Sequence, residues 1–130
     1  MNAKATPSEY LVLSRGQWDA SASTADIQRT IDEFYVWHDR MVADGKMKRG
    51  TRLMREGKFV SRRAVTDGPY SEAKEVIGGY WFVIAHSLEE AAELLAQSPC
   101  LARGLHYEVR ELDPEHCDAS AVTAETPVAA

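Results

Sequence analysis

Two side chains of this sequence can move protons and lie where a site could form. Asp67 opens an Asp-Gly-Pro turn, where a carboxylate either caps local backbone N–H groups or acts as a general acid or base in a cleft. His38 lies between Phe34 and Met41 on the apolar stripe of a predicted helix. An imidazole there is either a packed core residue or a proton carrier tuned across neutral pH. Both alternatives stay open for both residues.

Other residues are candidates for ligand contacts. Tyr80 and Trp81 fall on opposite faces of a predicted central strand, so one packs under the helices while the other faces a pocket or an interface. Arg15, near the end of the first predicted strand, could hold a carboxylate or phenolate, with an exposed ion pair as the alternative. Lys74 follows the turn and either neutralises an anionic ligand or lies in a solvated loop.

The sequence carries no signature of a metal or cofactor site. Cys100 and Cys117 form no CxxC pair, and the four histidines share no HxH or HxxxH spacing. No P-loop, GxGxxG or GxSxG motif is present. We therefore expect no metal and no cofactor. Cys100 has no evident activating base and is predicted not to be a nucleophile.

Composition excludes several classes of protein. The 130 residues carry a net charge of −5, which argues against a general nucleic-acid binder. The longest apolar stretch, Tyr80–Ala85, is too short to cross a membrane. The N-terminal segment, Met1–Pro7, is short and polar and lacks the apolar core of a secretory leader, so a cytoplasmic location is expected. The length predicts one domain.

Periodicity and breakers predict the elements that position the candidate residues. Ser23 or Thr24 caps a long helix that ends at Gly45, and the Ser87 capping box opens a second helix that ends at Ser98-Pro99. The stripe predicted to be buried on the first helix comprises Ile27, Ile31, Phe34, His38 and Met41. The predicted strands are Glu9–Arg15, Lys46–Arg55, Phe59–Val65, Tyr80–Ala85 and Leu105–Leu112, with turns at Glu56-Gly57 and Thr66–Pro69.

This order predicts an α+β fold, a ferredoxin-like subunit with an antiparallel sheet and two helices on one of its faces. Because strand Tyr80–Ala85 is apolar on both sides, a second subunit is expected to cover the open face, giving a homodimer. Residues 9–112 form the predicted domain. Residues 1–8 are expected to be a flexible N-terminus and residues 113–130 a disordered tail.

The runs Val65-Thr66-Asp67-Gly68-Pro69-Tyr70, Ser71–Glu75 and Gly78–Trp81 resemble the YCII-related family, in the branch known for a DGPF motif. Tyr70 replaces the usual Phe. The resemblance implies a subunit that dimerises through its sheet into a dimeric α/β-barrel, with a cleft around Asp67. It also implies a helix histidine paired with that aspartate. A gap-free count back from Gly50 puts Glu33 closer than His38 to the position of this histidine.

Two functions are compatible with these observations. The first is a small cofactor-free enzyme of the lyase or isomerase type, moving protons on a small aromatic or enolic ligand with Asp67 and His38. The alternative is a non-catalytic ligand-binding or regulatory dimer, associated with an extracytoplasmic-function sigma factor as the resemblance implies. The predicted ligand contacts are Arg15, Gly68, Pro69, Tyr70, Lys74, Tyr80 and Trp81.

Overall fold

The computed structural model describes residues 4–68, 76–115 and 119. Its elements are β1 (Ser8–Gly16), α1 (Thr24–Ala43), β2 (Met47–Arg52), β3 (Gly57–Val60), β4 (Val65–Gly68), β5 (Ile77–Ala85), α2 (Leu88–Leu95), a 3-10 helix (Pro99–Arg103) and β6 (Leu105–Glu111). Four strands form one antiparallel sheet in the order β2-β5-β1-β6, and β3 pairs with β4 in a separate hairpin. The α+β, ferredoxin-like prediction is confirmed.

The core lies between the two helices and one face of the sheet. Side chains alternate between the two faces of a strand, and along β5 the buried positions are Gly79, Trp81, Val83 and Ala85. Opposite them on β1, Tyr10 pairs with Val83 and Val12 with Trp81. Trp37, Met41, Ala91 and Leu95 cover this face from the helices. Trp81 is therefore the residue of the Tyr80-Trp81 pair that packs under the helices.

None of the described helices packs on the other face of the sheet, yet the centre of that face is apolar. Leu11 pairs with Phe82 in the β1–β5 register and Leu13 with Tyr80, and all four are half-buried. At its border, Lys48 binds Glu9 at 3.0 Å, and Arg15 binds Glu108 at 2.9 Å. An apolar centre inside a charged border is typical of a surface that meets a partner.

Helix α1 has the predicted ends, and its predicted stripe is buried only at His38 and Met41. The Ser23 Oγ accepts a hydrogen bond from the backbone N–H of Asp26 at 3.0 Å, and Gly45 has the left-handed φ of 76° typical of a residue that follows a helix. The buried positions are Thr30, Trp37, His38 and Met41. Ile27, Ile31 and Phe34 are only half-buried, and Ile31 and Phe34 border a cleft instead of the core.

The predicted hairpin at Glu56-Gly57 is wrong. Strand β2 pairs with β5, and β3 pairs with β4 across a turn in which the Ser61 N–H donates to the Ala64 carbonyl at 2.9 Å. The predicted turn at Thr66–Pro69 lies instead mostly within β4, in register with β3. Several positions in this region could have formed a turn. Because β2 pairs with the distant β5, the chain does not fold back on β2 at Glu56-Gly57.

Pro69, Tyr70 and Lys74 lie outside the described residues, as does most of the predicted tail. None of the described helices is long and apolar enough to cross a membrane.

Gly50 is required by the close approach of β2 to β5. A Cβ at Gly50 would lie 1.9 Å from the Tyr80 carbonyl oxygen, at the irregularity between Lys48 and Thr51 in the β2–β5 register. We expect Gly50→Ala to lower the free energy of unfolding by about 1–3 kcal/mol, because the backbone has to shift. Gly78→Ala is the matched control, since no atom lies within 4 Å of its Cβ position. Equal urea midpoints for the two variants would contradict this packing.

Candidate functional site

A cleft of about 1370 Å³ opens between helix α1, one end of the sheet and the β2–β3 connection. The backbone around Gly78 and Gly79 contributes no side chain to it, and this leaves space at the start of β5. Seven aromatic side chains line it: Trp18, Phe34, Tyr35, Phe59, Tyr80, Trp81 and Tyr107. A concave site with apolar aromatic walls and a few polar groups is the usual form of a small-molecule site.

His38 lines this cleft from α1 and is only 4% exposed. Its ring stacks on Phe34 at 5.4 Å between centroids and meets Trp81 edge to face at 5.8 Å. The Nδ1 atom lies 3.4 Å from the Sδ of Met47, at the start of β2. A thioether can only accept, so Nδ1 carries the proton in this contact and Nε2 is left with its lone pair. No described residue hydrogen-bonds Nε2.

The surroundings of His38 favour the neutral imidazole. Burial lowers the pKa of His38 below its ordinary value of 6.5, and the nearby Arg49 guanidinium lowers the pKa further. Asp39 acts in the opposite direction, but its carboxylate is engaged by Arg49 at 2.6 Å. At neutral pH His38 is therefore a proton acceptor.

Trp81 carries a polar atom that its surroundings leave unmatched. The residue is 6% exposed and packs edge to face against Phe34 at 5.3 Å and Tyr107 at 4.9 Å. Its Nε1–H is buried without a hydrogen-bond partner. Buried donors in folded proteins are nearly always paired, so this N–H calls for an acceptor that the described chain does not supply.

A second polar cluster lies beside Trp81, where Cys100 and Tyr107 line the cleft. The hydroxyls of Ser98 and Tyr107 are 2.6 Å apart, and the Cys100 backbone N–H donates to the Ser98 Oγ at 3.3 Å. Burial raises the pKa of the Cys100 thiol and that of the Tyr107 phenol. Both groups stay protonated at neutral pH, which agrees with the expectation that Cys100 is not a nucleophile.

Asp67 lies on the β3–β4 hairpin with 88% of its side chain exposed, and it forms an ion pair with Lys58 on the facing strand. It borders a separate depression of about 550 Å³ together with Glu56 and Gly57. The ring and hydrogen-bond contacts of His38 are with Phe34, Met47 and Trp81, so the structure does not bring the two predicted proton-transfer residues into contact. Their pairing stays a prediction.

The family model of the YCII-related domain matches residues 9–113, which include all the described strands and helices apart from the first residue of β1. The chain belongs to the YCII-related family. No curated protein matches it. The YCII-related match covers the helix that carries His38, the hairpin that carries Asp67 and the strand that carries Trp81. These three candidate residues therefore all lie in one family domain.

The other predicted contacts of this YCII-related domain have different surroundings. Gly68 and Tyr80 line the cleft with Trp81. Arg15 is in β1 and donates from Nε to Glu108 at 3.0 Å, which is the ion-pair alternative. Among the residues that the structure describes, no group of three His, Cys, Asp or Glu side chains is placed to hold a metal ion.

Sequence reasoning missed Met47 as the partner of His38, and Ser98 as the partner of Tyr107. Met47 is 2% exposed at the first position of β2, and the predicted strand register held no sign that it would meet the helix. For Tyr107, the only available signal was the alternation along the last strand, which puts Leu105, Tyr107 and Val109 on one face.

The buried imidazole makes stability depend on pH in a defined direction. Because the pKa of His38 is lower in the folded chain, the unfolded chain binds a proton first as pH falls below about 6.5. We expect the wild type to lose stability between about pH 7.5 and pH 5 more steeply than His38→Gln, measured by urea unfolding. His86→Gln, at an exposed histidine, is the control. Parallel profiles for wild type and His38→Gln would contradict this.

Proposed function

We propose that this protein binds a small aromatic or enolic molecule in the aromatic cleft and transfers a proton on it without a cofactor. The observation that carries the proposal is the buried His38 in an aromatic cleft, whose Nδ1 contacts Met47 and whose Nε2 has no hydrogen-bond partner among the described residues. The activity would be of the lyase or isomerase type, with His38 as the acid–base group.

The proposed chemistry uses one proton. Nε2 accepts it from an acidic C–H or O–H of the ligand, and the ring becomes an imidazolium that keeps its Nδ1–H contact with Met47. Return of the proton to a different ligand atom completes an isomerisation. Departure of a leaving group with the electron pair completes an elimination, and the imidazolium then loses its proton to water. The burial that lowers the pKa of His38 also favours this return.

The aromatic walls supply binding and orientation. Phe34 and Trp81 both contact the His38 ring, so a planar ligand that packs on these walls is brought beside the imidazole. Holding the reacting carbon at a fixed position next to a base contributes to rate by itself.

The test uses exchange of deuterium into an enolisable aromatic probe. Phenylpyruvate in D₂O exchanges its benzylic protons, and ¹H NMR follows the loss of their signal. We expect the wild type to accelerate exchange and His38→Gln to reduce the acceleration by about 100-fold or more. His86→Gln should match the wild type, because His86 lies outside the cleft. Binding of probes from a panel of small phenols and enols, with no exchange in any, would exclude the catalytic proposal.

Non-catalytic ligand binding is the second candidate, and the position of Asp67 favours it. That carboxylate pairs with Lys58 on the hairpin, so within the described residues His38 has no carboxylate in contact to share its proton. A regulatory dimer beside an extracytoplasmic-function sigma factor is one form of this candidate, and it stays a prediction of the resemblance.

Asp67→Asn tests whether His38 transfers the proton alone or together with Asp67. We expect this variant to fold, to form the same oligomer and to retain proton exchange, because an exposed ion pair contributes little to stability. Circular dichroism, sedimentation and the exchange assay check the three points. Loss of exchange in a folded Asp67→Asn variant would return Asp67 to the catalytic site beside His38.

A further inference from the structure

Resting on the proposed function, we propose that the ligand is a small aromatic anion, a carboxylate or phenolate, whose charge is received at the β2 side of the cleft by Arg52 and Arg55. The described polar groups of the cleft that lack protein partners carry the argument. The charged ones among them are the two cations Arg52 and Arg55 and the single anion Glu56, and the buried donor is the Trp81 Nε1–H.

The charged lining of the cleft is cationic. Arg52, Arg55 and Lys58 line it against the single acidic residue Glu56 among the described residues. Lys58 is already paired with Asp67. Neither Arg52 nor Arg55 takes part in an ion pair with any residue in the described part of the chain.

This local charge is opposite to that of the whole protein. The chain has a net charge of −5, yet eight of its fifteen basic residues lie between positions 46 and 63, against one acidic residue. A cleft that focuses positive potential in an acidic protein attracts anions and excludes cations. An exposed cationic strand alone would not indicate a ligand, and the buried donor in the same cleft is the independent observation.

The backbone holds Arg52 at the same end of β5 as that donor. Arg52 is in register with Gly79, and the Leu53 N–H donates to the Gly78 carbonyl at 2.9 Å. Gly79 lies on the same face of β5 as Trp81, two residues away, where the unpartnered Nε1–H is buried. An acceptor atom on the ligand ring would satisfy this N–H, while the guanidinium groups offset the charge.

The test compares three probes of one shape and different charge: 2-naphthoate, 2-naphthamide and 2-naphthylmethylammonium. ¹⁵N-labelled protein gives one indole N–H signal for each of its three tryptophans, and loss of a signal in Trp81→Phe assigns Trp81. We expect naphthoate to bind at least 10-fold more tightly than the amide, the ammonium probe to bind most weakly, and the Trp81 indole proton to move downfield with naphthoate.

Arg52→Gln is expected to weaken naphthoate binding about 3- to 10-fold and to leave amide binding unchanged. Arg55→Gln provides the same test if Arg52→Gln does not fold, and Arg62→Gln on the hairpin turn, outside the cleft lining, should behave as wild type. Equal affinity for naphthoate and naphthamide, or equal effects of Arg52→Gln and Arg62→Gln, would overturn the anion inference while leaving aromatic binding in place. Failure of all three probes to bind at millimolar concentration would overturn the proposed function as well.

Discussion

Trp81→Ala is expected to lower the free energy of unfolding by about 3–5 kcal/mol, since it removes a large buried side chain from the core cluster. The indole, on β5, packs against Phe34 and His38 from α1 and against Tyr107 from β6, so it joins the helix to two strands of the sheet. A loss of this size is a large fraction of the 5–15 kcal/mol typical of a whole domain. Urea unfolding at a fixed protein concentration measures it.

Trp18→Ala is the matched control for Trp81→Ala. Trp18 is also a cleft residue, but it lies half-buried in the loop after β1 and outside the core cluster. We expect its removal to cost clearly less stability than that of Trp81. A larger loss for Trp18→Ala than for Trp81→Ala would contradict the position of the core described here.

Phe82→Glu is expected to convert a homodimer into a monomer. We propose that the open sheet face, centred on Leu11, Leu13 and Phe82, packs against the same face of a second copy. A single carboxylate placed at this centre would be buried without a partner in the dimer, and burial of an unpaired charge is strongly unfavourable. Sedimentation velocity at micromolar concentration should show a dimer for the wild type and a monomer for Phe82→Glu.

Val60→Glu controls for the choice of surface. Val60 is an apolar residue of β3 that is 76% exposed, and it lies on the hairpin instead of the sheet face. This variant should remain a dimer. A monomeric wild type would remove the barrel arrangement, whereas dissociation of Val60→Glu but not of Phe82→Glu would place the interface on the hairpin.

The parts of the fold that the sequence predicted are those that local chemistry determines. Ser23 and Ser87 each accept a hydrogen bond from the backbone three residues later, and Gly45 follows the first helix with a positive φ. The opposite faces of Tyr80 and Trp81 follow from the strand period of two. The pairing of β3 with β4 was missed because its turn, between Ser61 and Ala64, contains no Gly, Pro, Asn or Asp to mark it.

In the candidate site, too, the local features could be predicted from the sequence and the long-range contacts could not. The position of His38 on an inward stripe could be read from helical spacing, but its contacts with Met47 and Trp81 arise from packing between α1 and two strands. The Asx-turn alternative for Asp67 rested on the Asp-Gly-Pro motif. Its observed pairing with Lys58 instead requires the β3–β4 register, which no local motif encodes.

We propose that His38, within an aromatic cleft, is the neutral group that meets the ligand. The most direct measurement is an NMR titration with 2-naphthoate of protein labelled with ¹³C and ¹⁵N in its histidine rings, with the His38 signals assigned by their loss in His38→Gln. We predict a neutral Nδ1–H tautomer at pH 7 in the free protein, and a shift of the Nε2 signal as the probe saturates. Saturable binding that leaves His38 unchanged and perturbs only the backbone signals of the hairpin around Asp67 would contradict the claim.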